Sequence, residues 1–286
     1  MDNEILRETV GMIVDAFGAD LEMITIERAV FGLFFSGVKI STGHGGVCYT
    51  PVKEMPEAVC CPSSARAMPL SGRLKGRTAA EYLEYIFDRN ILKRTLGIAT
   101  LNALSTLYWQ LKPPTDYTIQ YGYNAFDDVD PRRYDYTVVV GALVPMLKKL
   151  IAADADFAVM EMDSRTLKGK ELDHYLPPSE ASKCVPKADL MVITGVTVLN
   201  DTLLGLLELR KPGAEIIVTG PTVSMLPDAF FKRGVTSLGG IVVTKADELL
   251  DLLCEGGSGY HFFGKSAEQT VVRPKSYGLE QAKQKE

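Results

Sequence analysis

The sequence predicts an α/β protein in which a smaller α+β lobe precedes an open, mainly parallel sheet covered by helices on both faces. Three observations carry this prediction. From residue 136 onward, short apolar runs alternate with amphipathic segments, and a strand that is apolar without alternation needs cover on both of its faces. Ahead of that point strand-like segments come first and helical spacing second, the grammar of an α+β unit. The chain has 286 residues, 46% of them hydrophobic, a size at which a single core begins to divide. Two domains are therefore expected, 1–112 and 113–275, followed by a mobile tail at 276–286 where Lys, Gln and Glu replace the apolar pattern.

Apolar residues recur at helical spacing from Glu4 to Phe17, and Gly18 stands where that helix should stop. "EMITIERAVFGLFFSGVKIS" and "GGVCYTPV" are β-branched and aromatic segments broken by Gly or charge, predicting a small antiparallel meander of about three strands. Helical spacing returns in "TAAEYLEYIFDR", where Thr78 and Glu81 have capping-box spacing. A long helix follows in "NILKRTLGIATLNALSTLYWQ", nearly free of charge after Arg94 and so buried. The boundary falls in "KPPTDYTIQYGYNAFDDVDPRRY", rich in Pro, Tyr and Asp. Beyond it the strands are "YTVVVG" (136–141), "FAVMEMD" (157–163), "DLMVITG" (189–195), "AEIIVTG" (214–220) and "GGIVVT" (239–244). "VPMLKKLIA", "NDTLLGLLELR", "LPDAFFKRG" and "ADELLDLLCEG" supply helical crossovers, making a Rossmann-like sheet. "KSAEQTVVRPKSYGLEQAKQKE" loses periodicity.

Composition excludes several classes of function. With 31 basic against 36 acidic residues and a net charge of −5, the chain offers no basic stripe beyond "RLKGR" at 73–77, so no nucleic-acid partner is expected. No apolar run reaches the roughly 18 residues of a membrane span, and the first residues are acidic and amphipathic, so a cytoplasmic protein without a membrane partner is expected. Five scattered cysteines without C-x-x-C fit reduced thiols better than disulfides or a structural zinc.

In an open α/β sheet ligands bind beyond the carboxyl ends of the strands. There the sequence places "GALVP" (141–145), "TGVTVLND" (194–201) and "TGPTVSMLP" (219–227). Glycine lets backbone approach a ligand, and Thr hydroxyls beside helix starts favour anions. Gly141, Thr194, Gly195, Asn200, Thr219, Gly220, Pro221 and Thr222 are the candidate ligand contacts. Ordinary turn and N-cap chemistry explains any one such loop. A negative ligand group is expected against "TGPT" and "TGVT". A dinucleotide would require G-x-G-x-x-G, whereas Leu143 and Met146 occupy the second and third glycine positions. Glu161, twenty residues after Gly141, nevertheless stands where a ribose-binding acid would stand. No phosphate-binding G-x-x-x-x-G-K-[ST] occurs.

"LKRTLGIATLNALS" (92–105), followed by "GALVP", "TGVTVLNDTL" and "TGPTVSMLP", resembles a bacterial and archaeal family named for "putative heavy-metal chelation". The resemblance runs from about Ile5 to about Glu255. It implies an enolase-N-terminal-like α+β domain followed by a Rossmann-like domain, and a role in metal handling by analogy to cobalamin or siderophore pathways. It brings no agreed catalytic residues.

Soft ligands for a metal are His44, Cys48, Cys60, Cys61, His174, Cys184 and His261. His44 and Cys48, four apart in "VKISTGHGGVCYTP", are the candidate metal residues, read as a flexible hairpin rim facing the interdomain cleft without a third ligand nearby. Cys60 and Cys61 form a vicinal pair, and His261 reads as a packed histidine. Asp127, Asp128 and Asp130 could meet a hard cation, although an acidic linker is usually solvated.

The sequence therefore points to a protein binding a small anionic or metal-chelating ligand in the interdomain cleft, its cofactor a metal ion or a metal-chelating small molecule. Two alternatives stand beside it: an enzyme using a nucleotide-type cofactor such as S-adenosylmethionine, with Glu161 on the ribose, and a non-catalytic scaffold in a metal-cofactor pathway. A homo-oligomer is left open.

Overall fold

The computed structural model describes residues 3–54 and 70–277. Helix α1 is Glu4–Phe17, with the Asn3 side chain accepting from Leu6 N at its start and Gly18 at φ +50° at its end. Strands β1 (Ile26–Phe31), β2 (Phe35–Ile40) and β3 (Gly45–Tyr49) form the expected antiparallel meander. Helix α2 (Ala79–Glu84) begins at Thr78, whose hydroxyl accepts from Glu81 N at 3.2 Å. Helix α3 (Ile91–Leu111) follows, capped by Asn90.

The large sheet begins with β4 (Tyr117–Tyr121) and β5 (Thr137–Val140). It continues through α4 (Val144–Ala152), β6 (Phe157–Met160), β7 (Tyr175–Leu176), α5 (Ala181–Cys184) and β8 (Leu190–Thr194). Then come α6 (Val196–Leu199), α7 (Leu203–Glu208), β9 (Glu215–Thr219) and α8 (Asp228–Phe231). Strand β10 (Ser237–Val243), α9 (Ala246–Cys254), α10 (Gly259–Phe262) and β11 (Ala267–Pro274) complete the chain.

The eight strands lie in the order β4-β11-β10-β9-β8-β5-β6-β7, parallel from β10 to β7. Strands β11 and β4 run antiparallel. The chain leaves β5 toward β6 and β7, then returns to build β8, β9 and β10 on the other side, so the order reverses between β5 and β8. In open α/β sheets such a reversal is where a ligand crevice forms at the strand ends.

Two strands depart from the sequence reading. Strand β4 lies in the stretch read as a boundary, and β11 in the stretch read as having lost periodicity. Both lie at one margin of the sheet in antiparallel pairings, where β4 is only partly buried, so neither carries the continuous Val/Ile signature of the central strands. At the other end, Tyr277, within the segment read as a tail, donates its hydroxyl to Glu215 and stacks its ring on Arg273. Residues 278–286, like Cys60 and Cys61, lie outside the described residues.

Helix α3 is buried on nearly every side, lying between the small sheet and the loops that follow β8 and β9. A Cβ on Gly46 would stand 2.0 Å from Ala99 O and 2.6 Å from Ala103 N, so β3 touches α3 backbone to backbone. The main core joins Val38, Leu101 and Leu104 of the small lobe to Ile193 and Val218 of the large sheet and Phe230 of α8.

Candidate functional site

The strand-end residues singled out by sequence divide into two groups. The first is sealed. Asn102, on the buried face of α3, donates through Nδ2 to Val47 O (2.8 Å), Thr222 O (3.0 Å) and Pro221 O (3.2 Å). Thr222 accepts from Tyr49 N at 3.1 Å and is 2% exposed. The Ser224 hydroxyl donates to Pro221 O and accepts from Ile241 N. Thr197 donates to Thr194 O, and Thr219 is buried against Gly239. The Thr222 hydroxyl thus lies in the seam between β3 and the loop after β9.

The second group stays partly exposed over the reversal point: Gly141, Glu161, Thr194, Gly220 and Pro221. Gly141 has φ +94°, and a Cβ there would press within 2.8 Å of Thr194 Cγ2, so the ends of β5 and β8 meet at this glycine. Gly220 has φ +130°, and its N–H donates to Gly239 O. Thr194 Oγ1 accepts a long bond from Val196 N at 3.4 Å. Gly195 donates to Thr219 O, tying β8 to β9. Asn200 lies beyond α6, where its side-chain oxygen Oδ1 accepts from the Thr202 hydroxyl. Next to it Asp201 receives a bidentate pair from Arg94 (2.6 and 2.7 Å) and a bond from Asn3. Burial would raise the Asp201 carboxyl, but those bonds and the Arg94 charge hold it below its ordinary range.

The nucleotide reading meets a physical obstacle here. In the loop after β5, Gly141 N donates to Met160 O, Ala142 N to Glu161, Leu143 N to Gly141 O and Val144 N to Ala142 O. Pro145 has no N–H. The amides that would cradle a pyrophosphate are occupied. Glu161 itself accepts from Ala142 N and Asp163 N, capping the loop.

Sequence reasoning missed a segment that crosses these strand ends. The chain from Tyr49 to Lys53 spans from the β9 end, where Tyr49 N meets Thr222, to the β6 end, where Lys53 pairs with Asp163. Burial, against the pull of Lys53, pushes the Tyr49 phenol above its ordinary range, and Glu54 and Glu161 add to the rise. The signal was present in "CYTPVK", whose polar atoms follow a strand too apolar to end in solvent.

The metal candidates disperse. Cys48 is fully buried, and burial, with some relief from Thr222 and Arg94, pushes its thiol up to about 12. His44 sits at the β2–β3 turn, with Nδ1 on the Thr42 hydroxyl (2.9 Å) and Nε2 on Gln110 (2.7 Å). From Gly45 onward the segment is a buried strand, in which Gly46 permits close approach to α3 and Gly45 to Val243 and Ala246. His174 stacks on Phe157 with ring centroids 3.8 Å apart. The Cys184 thiol contacts Met160 Sδ at 3.6 Å. His261, expected to be packed, is exposed and caps Ser258 N. Asp127 accepts from Asn124 N, Asp128 pairs with Arg273, and Asp130 pairs with Arg132. Among the described residues no three His, Cys, Asp or Glu side chains converge as a metal site. A depression of about 510 Å3, lined in part by Asp135, Asp156, Lys183, Cys184 and Lys187, lies at the opposite end of the strands. No helix among the described residues is long and apolar enough to cross a membrane.

The sequence profile of the DUF364 family, described as "putative heavy-metal chelation", matches residues 124–272. The chain belongs to that family. A second profile of the same description, DUF4213, matches residues 14–105, the small lobe. An uncharacterized protein of Methanocaldococcus jannaschii is 28% identical over 192 residues, 67% of this chain and 70% of that protein. A crystal structure of a DUF364 protein of unknown function from Pyrococcus horikoshii has TM-score 0.73 at 19% identity, covering 96% of this chain and all of its own. Another, from Desulfitobacterium hafniense, has TM-score 0.65 at 16% identity, covering 94% of this chain and 99% of its own. These likenesses extend the fold over both lobes. For this DUF364 member, the "ATLNALS" and "TGPT" segments that carry the resemblance are the two sides of one hydrogen-bonded seam, joined at Asn102.

Proposed function

We propose that the protein binds a small anionic or metal-chelating ligand in the crevice above the β5–β8 reversal, beneath the Tyr49–Lys53 roof. The observation that carries this reading is the split just described: α3 and β3 seal Thr222 and the residues that follow it, while Gly141, Thr194, Gly220 and Pro221 stay partly exposed near the point where the strand order turns over. Gly141 and Gly220, lacking side chains, leave room for the ligand, the Thr194 hydroxyl is the donor at the centre, and Glu161 with the Tyr49 phenol lines the rim. Because the described residues bring no three metal ligands together, a metal would arrive already chelated, with the protein reading the chelator. This keeps to the family description and needs no phosphate cradle.

The test is a thermal-shift screen of the full chain against free transition metals, metal–carboxylate chelates, tetrapyrroles, S-adenosylmethionine and nicotinamide dinucleotides, since a bound ligand raises stability with its concentration. Thr194→Val keeps the side-chain shape and removes the hydroxyl. It should weaken binding of the active compound about tenfold, the worth of roughly one hydrogen bond. Thr222→Val should leave affinity unchanged while costing about 1–3 kcal/mol of stability through the stranded Tyr49 amide. Unchanged affinity in Thr194→Val would move the site elsewhere, and stabilisation by S-adenosylmethionine alone would favour the nucleotide alternative.

A further inference from the structure

The two sheets have four edges, and three of them are blunted. Strand β7 is two residues long and runs into Pro177 and Pro178. Strand β1 is covered where Ile26 exchanges hydrogen bonds with Arg77 O and Gly76 N, and Thr25 bridges Thr78. On β3, Val47 O is taken by Asn102 and Tyr49 N by Thr222. Strand β4 is different. It is five residues long, "YTIQY", without charge, proline or bulge, and among the described residues nothing pairs with its outer side.

Its register fixes which groups face outward. Gly122 N donates to Gln269 O and Lys275 N to Asp116 O, so the even-numbered positions bond to β11. In an antiparallel ladder the alternate residues then direct their N–H and C=O groups away. Those residues are Tyr117, Ile119 and Tyr121. Beside them Tyr121 is 49% and Tyr123 52% exposed, a pair of aromatic rings at an open backbone edge.

We propose that this edge is a self-pairing surface, on which a second copy of the chain docks antiparallel across a two-fold axis through Ile119, fusing the two eight-stranded sheets. The occupant follows from the sequence of the strand itself. Its outward residues read Tyr, Ile, Tyr in either direction, and a two-fold contact requires a surface complementary to itself. With Ile119 on the axis, Tyr117 faces Tyr121 of the second copy and Thr118 faces Gln120, so no like charges oppose each other. The outward groups would exchange about six backbone hydrogen bonds. An unrelated peptide would gain nothing from that symmetry.

Sedimentation of the full chain at micromolar concentration should give twice the chain mass. Ile119→Lys places two ammonium groups opposite each other on the axis and should raise the dimer dissociation constant at least about tenfold. Circular dichroism checks that the variant keeps its fold. A second arm does not depend on that variant: Ile119→Cys, in a background with Cys60, Cys61 and Cys254 changed to Ser, should oxidise to a covalent dimer. Thr118→Cys, which faces Gln120 and not its own symmetry mate, should remain monomeric on a denaturing gel. A chain that sediments as a monomer, or a dimer in which the thiol at 119 stays free, overturns the proposal.

Discussion

Cys48 shows how burial changes the meaning of a residue. In the sequence it stands four positions from His44 in a glycine-rich stretch, which resembles half a metal site. In the structure it is sealed beneath α3, and burial lifts its thiol from 9.0 to about 12. The consequence for stability has a definite sign. The unfolded chain releases this proton near 9, while the native state holds it to about 12, so stability falls as pH rises from 9 toward 12. Urea unfolding at mildly acidic and alkaline pH should show a steeper alkaline loss for the parent than for Cys48→Ala, the tyrosines being common to both. Equal slopes would mean that the thiol is less enclosed than the geometry requires. Gly46 was the readable clue, because a glycine inside a strand often marks a close approach of another backbone.

Among the elements, those with a strong period were legible in the sequence. Helix α1, helix α4 and the central strands fall where the apolar pattern put them, since each presents a face or a run that only one layer can bury. Helix α3 was legible as buried, because a helix without a polar face cannot lie on a surface. What covers it was not legible, because that depends on side chains far apart in sequence, such as Asn102 and Thr222. Strands β4 and β11 were missed for the opposite reason: a margin strand needs little apolar content. The α3–β3 contact carries a sharp prediction. Gly46→Ala would drive a methyl to 2.0 Å from Ala99 O, which only a backbone shift can relieve. The variant should lose at least about 3 kcal/mol, at or beyond the upper end of overpacking costs, measurable as a lower urea midpoint. Gly11→Ala, on α1 with open space around the new methyl, should be neutral or mildly stabilising.

At the scale of the molecule, the two lobes recognisable by sequence grammar share one core. Side chains of α1, α3 and the small sheet pack in the same apolar cluster as those of β8, β9 and α8. Helix α9, from the C-terminal half, lies against β2, and its Asp247 and Asp251 pair with Arg28 of β1. Lobes joined this way should not unfold separately, since opening either exposes the apolar face of the other. Trp109, the single tryptophan, tests this directly. Its indole is 7% exposed at the end of α3 and donates to the Tyr117 hydroxyl at 2.8 Å, so its fluorescence reports the junction of helix and sheet. Tryptophan fluorescence and far-ultraviolet circular dichroism should give coincident urea transitions. Asn102→Ala, which strands the carbonyls of Val47 and Thr222 and leaves Pro221 O only its Ser224 donor, should move both transitions together by about 2–3 kcal/mol. Transitions that separate in the parent, or a variant that shifts only the fluorescence, would instead describe two independently folding lobes that meet at a passive interface.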